Sequence, residues 1–141
     1  MADAPIIEIA KAIVTSLNTE FEETFTAERG YAPPHFDLTD LDDIQVTVVP
    51  AEVDCRPACR TGETGDYSID VGVQKKVNKA VIAEADAIVK LADDVRKFLR
   101  FKHPIAAATW VGTHHIAVGI PEHWRDGVMT VVTRFVYRMA D

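Results

Sequence analysis

The chain has little cysteine, few serines and no long apolar run, and each scarcity removes a class of explanation. Its two cysteines, Cys55 and Cys59, stand in one polar segment of a 141-residue sequence. In a reducing compartment they are thiols and hold no fold together. No stretch approaches the ~20 consecutive apolar residues that a membrane-spanning helix needs, so no membrane partner is expected. The opening Met1-Ala2-Asp3-Ala4-Pro5 has neither the basic segment nor the apolar run of a secretory signal, which predicts a cytosolic, soluble protein. Basic residues are also in deficit, with 15 Lys and Arg against 22 Asp and Glu and a formal charge of -7. That balance argues against a protein whose task is to grip nucleic-acid phosphates, and favours a surface that repels DNA.

Catalytic signatures are missing too. There is no glycine-rich phosphate loop, no Gly-x-Ser-x-Gly elbow and no His-Glu-x-x-His pair. Ser16 and Ser68 are the only serines, and both fall inside regular elements. The sequence therefore predicts a protein that is not an enzyme and carries no cofactor. Cys55 and Cys59 are weak metal candidates, since two thiolates at that separation reach one tetrahedral zinc if two further ligands arrive. Those ligands would come from His103, His114, His115 and His123, whose spacings match no usual half-site, so no metal is expected. Adjacent His114 and His115 on an extended segment point to opposite faces and do not share a site. Asp37, Asp40, Asp42 and Asp43 lack the glycine and closing glutamate of a calcium loop and read as a solvated turn.

What is present is a clear order of amphipathic segments. Nearly half the residues are hydrophobic, enough for one core, and residues 1–141 read as a single domain. Asp3 as N-cap, Pro5 in the first turn, and Ile6, Ile9, Ala10, Ile13, Val14 and Leu17 at helical spacing predict a helix ending near Asn18. Phe21, Glu23, Phe25 and Ala27 alternate with polar residues, the period of a strand. Ile44 to Val49 predicts a second strand ended by Pro50, and Tyr67, Ile69, Val71 and Val73 a third, with the two forming an antiparallel hairpin. Between them, residues 51–66 are too polar to bury and predict a long flexible loop. Val81, Ile82, Ala85, Ile88, Val89, Ala92, Val95, Phe98 and Leu99 form the stripe of a long helix from about Asn78 to Phe101, with Asp86–Lys90 and Asp93–Lys97 pairs outside it. Residues 102–121 are ambiguous between strand and loop. The chain closes on Gly127 to Arg138, a strand apolar on both faces, which asks for cover by the fold on one side and by something else, such as another copy, on the other.

Helix, strand, strand, strand, helix, an ambiguous segment and strand give an α+β domain. Its expected form is a mainly antiparallel curved sheet of four to five strands, with two helices packed on one face. Arg134 and Arg138, four apart on the last strand, share a face with Val132 and Val136. Such a mixed face suits an interface or a snorkelling strand end.

Glu28 to Pro33, Val46 to Pro50, Tyr67 to Gln74 and Met129 to Arg138 together resemble the tail terminator, or tail completion, proteins of tailed bacteriophages. The resemblance covers most of the chain by element order. It implies a structural virion protein at the tail–neck junction, assembled in the host cytoplasm. Such proteins form a homo-oligomeric ring of six copies that caps the tail tube, stops its polymerisation and meets the neck or head completion protein. DNA would pass through the lumen without specific binding. Arg56, Arg60 and Glu63 in the loop, with Arg134 and Arg138, are the expected subunit and tube contacts. A head completion or neck protein of the connector is the nearest alternative, followed by a small metal-dependent hydrolase and a ligand-binding module with an apolar pocket between the long helix and the sheet.

Overall fold

A computed structural model of the chain describes residues 3–31, 43–57 and 62–140, apart from the side chain of His115. Helix α1 (Pro5–Glu20) opens on a proline, whose fixed φ and missing N–H suit a first turn. Ile9, Ala10, Ile13 and Leu17 recur on one side of it and are fully buried. Ala4 takes the cap position without a side-chain hydrogen bond, and the expected cap, Asp3, pairs with Lys11 instead.

The strand expected from Phe21 starts later. Residues 21–25 extend the helix as a turn, with the Phe21 N–H donating to the Leu17 carbonyl at 2.9 Å and the Phe25 N–H to the Phe21 carbonyl at 3.1 Å. The rings decide this: Phe21 stacks on Phe25 with centroids 5.2 Å apart and meets Phe98 edge-on at 5.7 Å. Aromatics four apart satisfy a helical turn as well as an alternating strand, and only the distant Phe98 selects between them. Strand β1 is confined to Thr26–Arg29.

Strands β2 (Gln45–Pro57) and β3 (Glu63–Lys76) form the expected antiparallel hairpin, but they are far longer than the sequence suggests. Pro50 does not end β2. The ladder passes through it with a bulge between Pro50 and Glu52, a place where proline's missing donor costs little. The predicted flexible loop over residues 51–66 is likewise corrected: pairing continues to Pro57 opposite Glu63, leaving only a short connection at the tip. Its polarity belongs to an arm that projects past the helices, and residues 51–57 are all exposed. On the inner strand of the arm Gly65 makes room for an aromatic ring, since a Cβ there would lie 2.8 Å from a Tyr67 ring carbon.

Helix α2 (Ile82–Leu99) buries Ala85, Ile88, Ala92, Val95 and Leu99. It starts later than Asn78, whose side chain accepts the Ala80 N–H at 3.0 Å in the preceding turn. Lys97 pairs with Asp93 as expected at 3.1 Å, whereas Lys90 chooses Asp94 rather than Asp86. The ambiguous segment resolves into β4 (Thr109–Val118) and a short helix α3 (Pro121–Arg125), which turns the chain into β5 (Val128–Ala140).

The five described strands lie in the order β1-β2-β3-β5-β4, with β1 parallel to β2 and every other pairing antiparallel. The coarse expectation of an α+β domain with a mainly antiparallel sheet holds, with one parallel pair and a third helix added. Register aligns Val46, Val73 and Val131, then Val48, Val71 and Thr133, then Ile69 with Phe135 and Tyr67 with Tyr137. These residues are buried on the side covered by α1 and α2, all but Thr133 within one hydrophobic cluster. Both long helices therefore cover the same face.

At the β1 edge the Asn18 carboxamide acts as a substitute strand. Its Oδ1 accepts the Ala27 N–H at 2.7 Å and its Nδ2 donates to the Ala27 carbonyl at 3.1 Å. Both backbone groups of Ala27 point away from β2, so this edge is closed from within the chain. Asn18→Ala leaves two backbone groups without protein partners and should lower unfolding stability by about 1–3 kcal/mol, measured by urea titration. Asn18→Asp, which still accepts the N–H, should lose less.

Candidate functional site

The sheet face opposite the helices carries the sequence-predicted arginines. Register places Asp70 beside Arg134 and Asp66 beside Arg138; on β2, Asp54 continues the Asp66 row, while Glu52 stands opposite Ser68, between the two rows. Arg134 Nε donates to Asp70 Oδ1 at 2.8 Å and its Nη2 to Asp70 Oδ2 at 3.2 Å, while Nη1 reaches Glu52 at 3.2 Å. Arg138 repeats the two-pronged grip on Asp66 at 2.8 and 3.2 Å, and Arg56 reaches the same carboxylate from the arm at 3.0 Å. Bidentate geometry of this kind fixes both partners more firmly than a single contact. The Arg138 hydrogen bond, helped by the charges of Arg138 and Arg56, holds the Asp66 carboxyl below the usual carboxylate range against a smaller opposing effect of burial.

The expected sharing of one face by Arg134, Arg138, Val132 and Val136 is what the register gives. The final strand is not an exposed edge, however. β5 runs between β3 and β4, so both sides of its backbone are paired and its open face is closed by ion pairs as well as valines. Its neighbours Asp66 and Asp70, invisible as partners in the sequence, are the residues that complete this face. Glu63 sits exposed at the start of β3 and Arg56 near the end of β2. Arg60 and Cys59 lie outside the described residues, as do Asp37, Asp40 and Asp42.

The histidines are scattered. His103 Nδ1 lies 2.9 Å from the Ala108 carbonyl, His123 on α3 lies 2.7 Å from the Thr130 hydroxyl, and His114 is on β4 opposite Arg134. Burial pushes the His123 pKa down. Cys55 is an exposed free thiol on the arm, and no cluster of three His, Cys, Asp or Glu side chains with metal-binding geometry occurs among the described residues. No described helix is long and apolar enough to cross a membrane. The space between α2 and the sheet is filled by Ile88, Ala92, Val95 and Leu99 packed over Ile69, Val71 and Phe135, all nearly or fully buried.

Two lengths of sheet edge remain without a strand partner among the described residues. One is β2 beyond Val48, where β1 has ended and only β3 pairs with it. The other is β4, which has β5 on one side only. β4 carries bulges at Val111 and Ile116, and both of these residues are exposed, as is Val118. Since β2 is antiparallel to β3, β3 to β5 and β5 to β4, the two free edges run in opposite directions on opposite sides of the sheet. Sequence periodicity pointed to β2, β3 and β5, left β4 ambiguous and carried no sheet order, and edges are a property of order alone.

No known family model matches the chain, and comparison with curated proteins finds no match either.

The Asp66 carboxylate is stabilised in the folded state relative to an unfolded value near 3.9. Its contribution is present above about pH 4 and is lost as the pH falls through the depressed folded value. Asp66→Asn should therefore flatten the acid limb of a plot of melting temperature against pH, with little change in slope above pH 5.

Proposed function

We propose that the chain is a tail terminator of a tailed bacteriophage, a ring-forming structural protein that caps the tail tube, halts its growth and presents a surface to the neck. The observation that carries this reading is the pair of sheet edges that have no strand partner among the described residues. A head-to-tail neighbour would bring the distal part of β2 from one copy beside β4 of the next in antiparallel sense, continuing the sheet from subunit to subunit. Repetition of one heterologous contact closes a ring when the rotation per step allows it. Six steps is what the family resemblance implies.

Placement of both long helices on one face supports the same reading. With helices outward, the lumen would be lined by Glu52, Asp54, Asp66 and Asp70 with Arg56, Arg134 and Arg138. Each of the two β5 guanidiniums is held by carboxylates. Phosphates passing such a wall meet cations whose charge is already matched, so duplex DNA slides without specific binding. The projecting arm, with Arg56, Arg60 and Glu63, is the element suited to reach the tube or an adjoining subunit.

Electron microscopy of lysate from a phage with a stop codon early in this gene tests the proposal. Overlong or ragged tubes beside unattached, filled heads are expected. Normal tubes with heads that have lost their DNA would assign the chain to head completion instead, and normal infectious particles would overturn both. At the residue level, Arg56→Glu combined with Arg60→Glu should block attachment of the protein to tubes. The exposed Arg56–Asp66 pair contributes at most about 1 kcal/mol, so the variant should melt close to wild type. Unchanged attachment would remove the arm from the tube contact.

A further inference from the structure

Phe101 adopts a backbone conformation unfavourable to its residue type and displays a ring that burial would be expected to hide. Leu99, Arg100, Phe101 and Lys102 form a type II turn: Arg100 has φ -62° and ψ 144°, Phe101 has φ 62°, and the Lys102 N–H donates to the Leu99 carbonyl at 3.3 Å. The third position of this turn calls for positive φ and is the usual place of glycine. A phenylalanine there is strained, and the residue is 71% exposed. The ring meets Trp110 edge-on with centroids 4.7 Å apart. Val111, the extra residue of the neighbouring β4 bulge, is exposed as well.

A cationic rim borders this patch. Arg100 lies 5.7 Å from the Phe101 centroid and Lys102 4.9 Å from the Phe98 centroid, and neither forms an ion pair with a described residue. The patch stands at the end of the β4 edge where Thr109 pairs with Arg138, the same end of the sheet from which the β2–β3 arm projects on the far side.

We infer that the Phe101–Trp110 patch receives the β2–β3 arm of a second copy of this chain, an assignment that rests on the ring reading above. Three features of the arm match it. Its outer strand runs antiparallel to β4, so the two edges can pair directly. Val53 registers with Tyr67 and Trp110 with Tyr137, and because Tyr67 registers with Tyr137, Val53 and Trp110 belong to the same face of a continued sheet. Val53 is 45% exposed in the isolated chain and gains cover from the aromatic pair. Finally, Glu63 lies on that same face opposite Pro57, without an ion-pair partner among the described residues, and complements Arg100 and Lys102. The strain at Phe101 then has a reason: the turn holds a large apolar group out at the corner where the neighbouring arm arrives.

The test uses Phe101→Gly and Val53→Asp in the full-length chain, read by native mass spectrometry and by melting temperature. Glycine is at ease at positive φ, so Phe101→Gly should melt no lower than wild type. Wild-type protein at high concentration should form closed rings and each variant alone should stay monomeric. An equimolar mixture should give dimers and nothing larger, because the sound arm of Phe101→Gly fits the sound patch of Val53→Asp and no second sound contact remains. Glu63→Lys and Lys102→Glu should each weaken assembly on the order of tenfold, and together restore it. Rings formed by either Phe101→Gly or Val53→Asp alone, or a mixture that stays monomeric while wild type closes rings, would overturn the arm contact and leave the ring reading standing. Wild-type protein that remains monomeric would overturn both.

Discussion

The antiparallel pairing of β3 with β5 is the constraint on which the rest of the structure depends. It joins distant parts of the chain and runs almost the whole length of both strands, from Lys76 opposite Val128 to Thr64 opposite Ala140. One side of this pair aligns Val71, Ile69 and Tyr67 with Thr133, Phe135 and Tyr137, and α1 and α2 pack over the sheet on that side. The other side aligns Asp70 and Asp66 with Arg134 and Arg138. A slip of one residue would bury charge under the helices and expose the aromatic core, so the apolar pattern and the ion pairs specify the same register.

The same pairing makes an arm possible. A hairpin with open sides is marginal in water, but the inner strand of the β2–β3 arm is braced by the last residues of β5, and two arginines fasten Asp66 from either side. The sheet thus extends past its helical cover without losing backbone partners on β3. Among the described residues it leaves unpaired the outer side of β2 beyond Val48 and the outer side of β4. The first lies where β1 stops, beyond the stretch that Asn18 closes, and the second is blunted by two bulges but bordered by exposed apolar residues. Bulges discourage indiscriminate strand addition while leaving room for one shaped partner. A chain with the β1 edge sealed by its own carboxamide, and two edge stretches without a strand partner among the described residues running in opposite directions, is suited to a directional, repeating contact.

Much of the fold was legible because burial imposes a period. The stripe from Ala85 to Leu99, the alternation from Tyr67 to Val73 and the shared face of Arg134 and Arg138 each follow from local geometry, and each appears in the structure. The errors cluster where local signals conflict with long-range partners. Pro50 is a strand terminator by propensity, yet a bulge absorbs it. Residues 51–66 have the composition of a loop, yet β5, contributed by the far end of the chain, turns part of them into an inner strand. Phe21 and Phe25 alternate like a strand, yet they stack on each other across a turn while Phe98 meets Phe21 edge-on.

The candidate site divides in the same way. By itself the sequence determined the two long helices, the central parts of β2, β3 and β5 with their apolar faces, and the shared face of Arg134 and Arg138, because these follow from side-chain period and chemistry within a dozen residues. Only the tertiary structure decided which carboxylates hold those arginines, which strand edges stay free, and that Phe101 stands strained and exposed beside Trp110. Each of these depends on strand order and register, which arise from contacts between distant segments that no local period encodes.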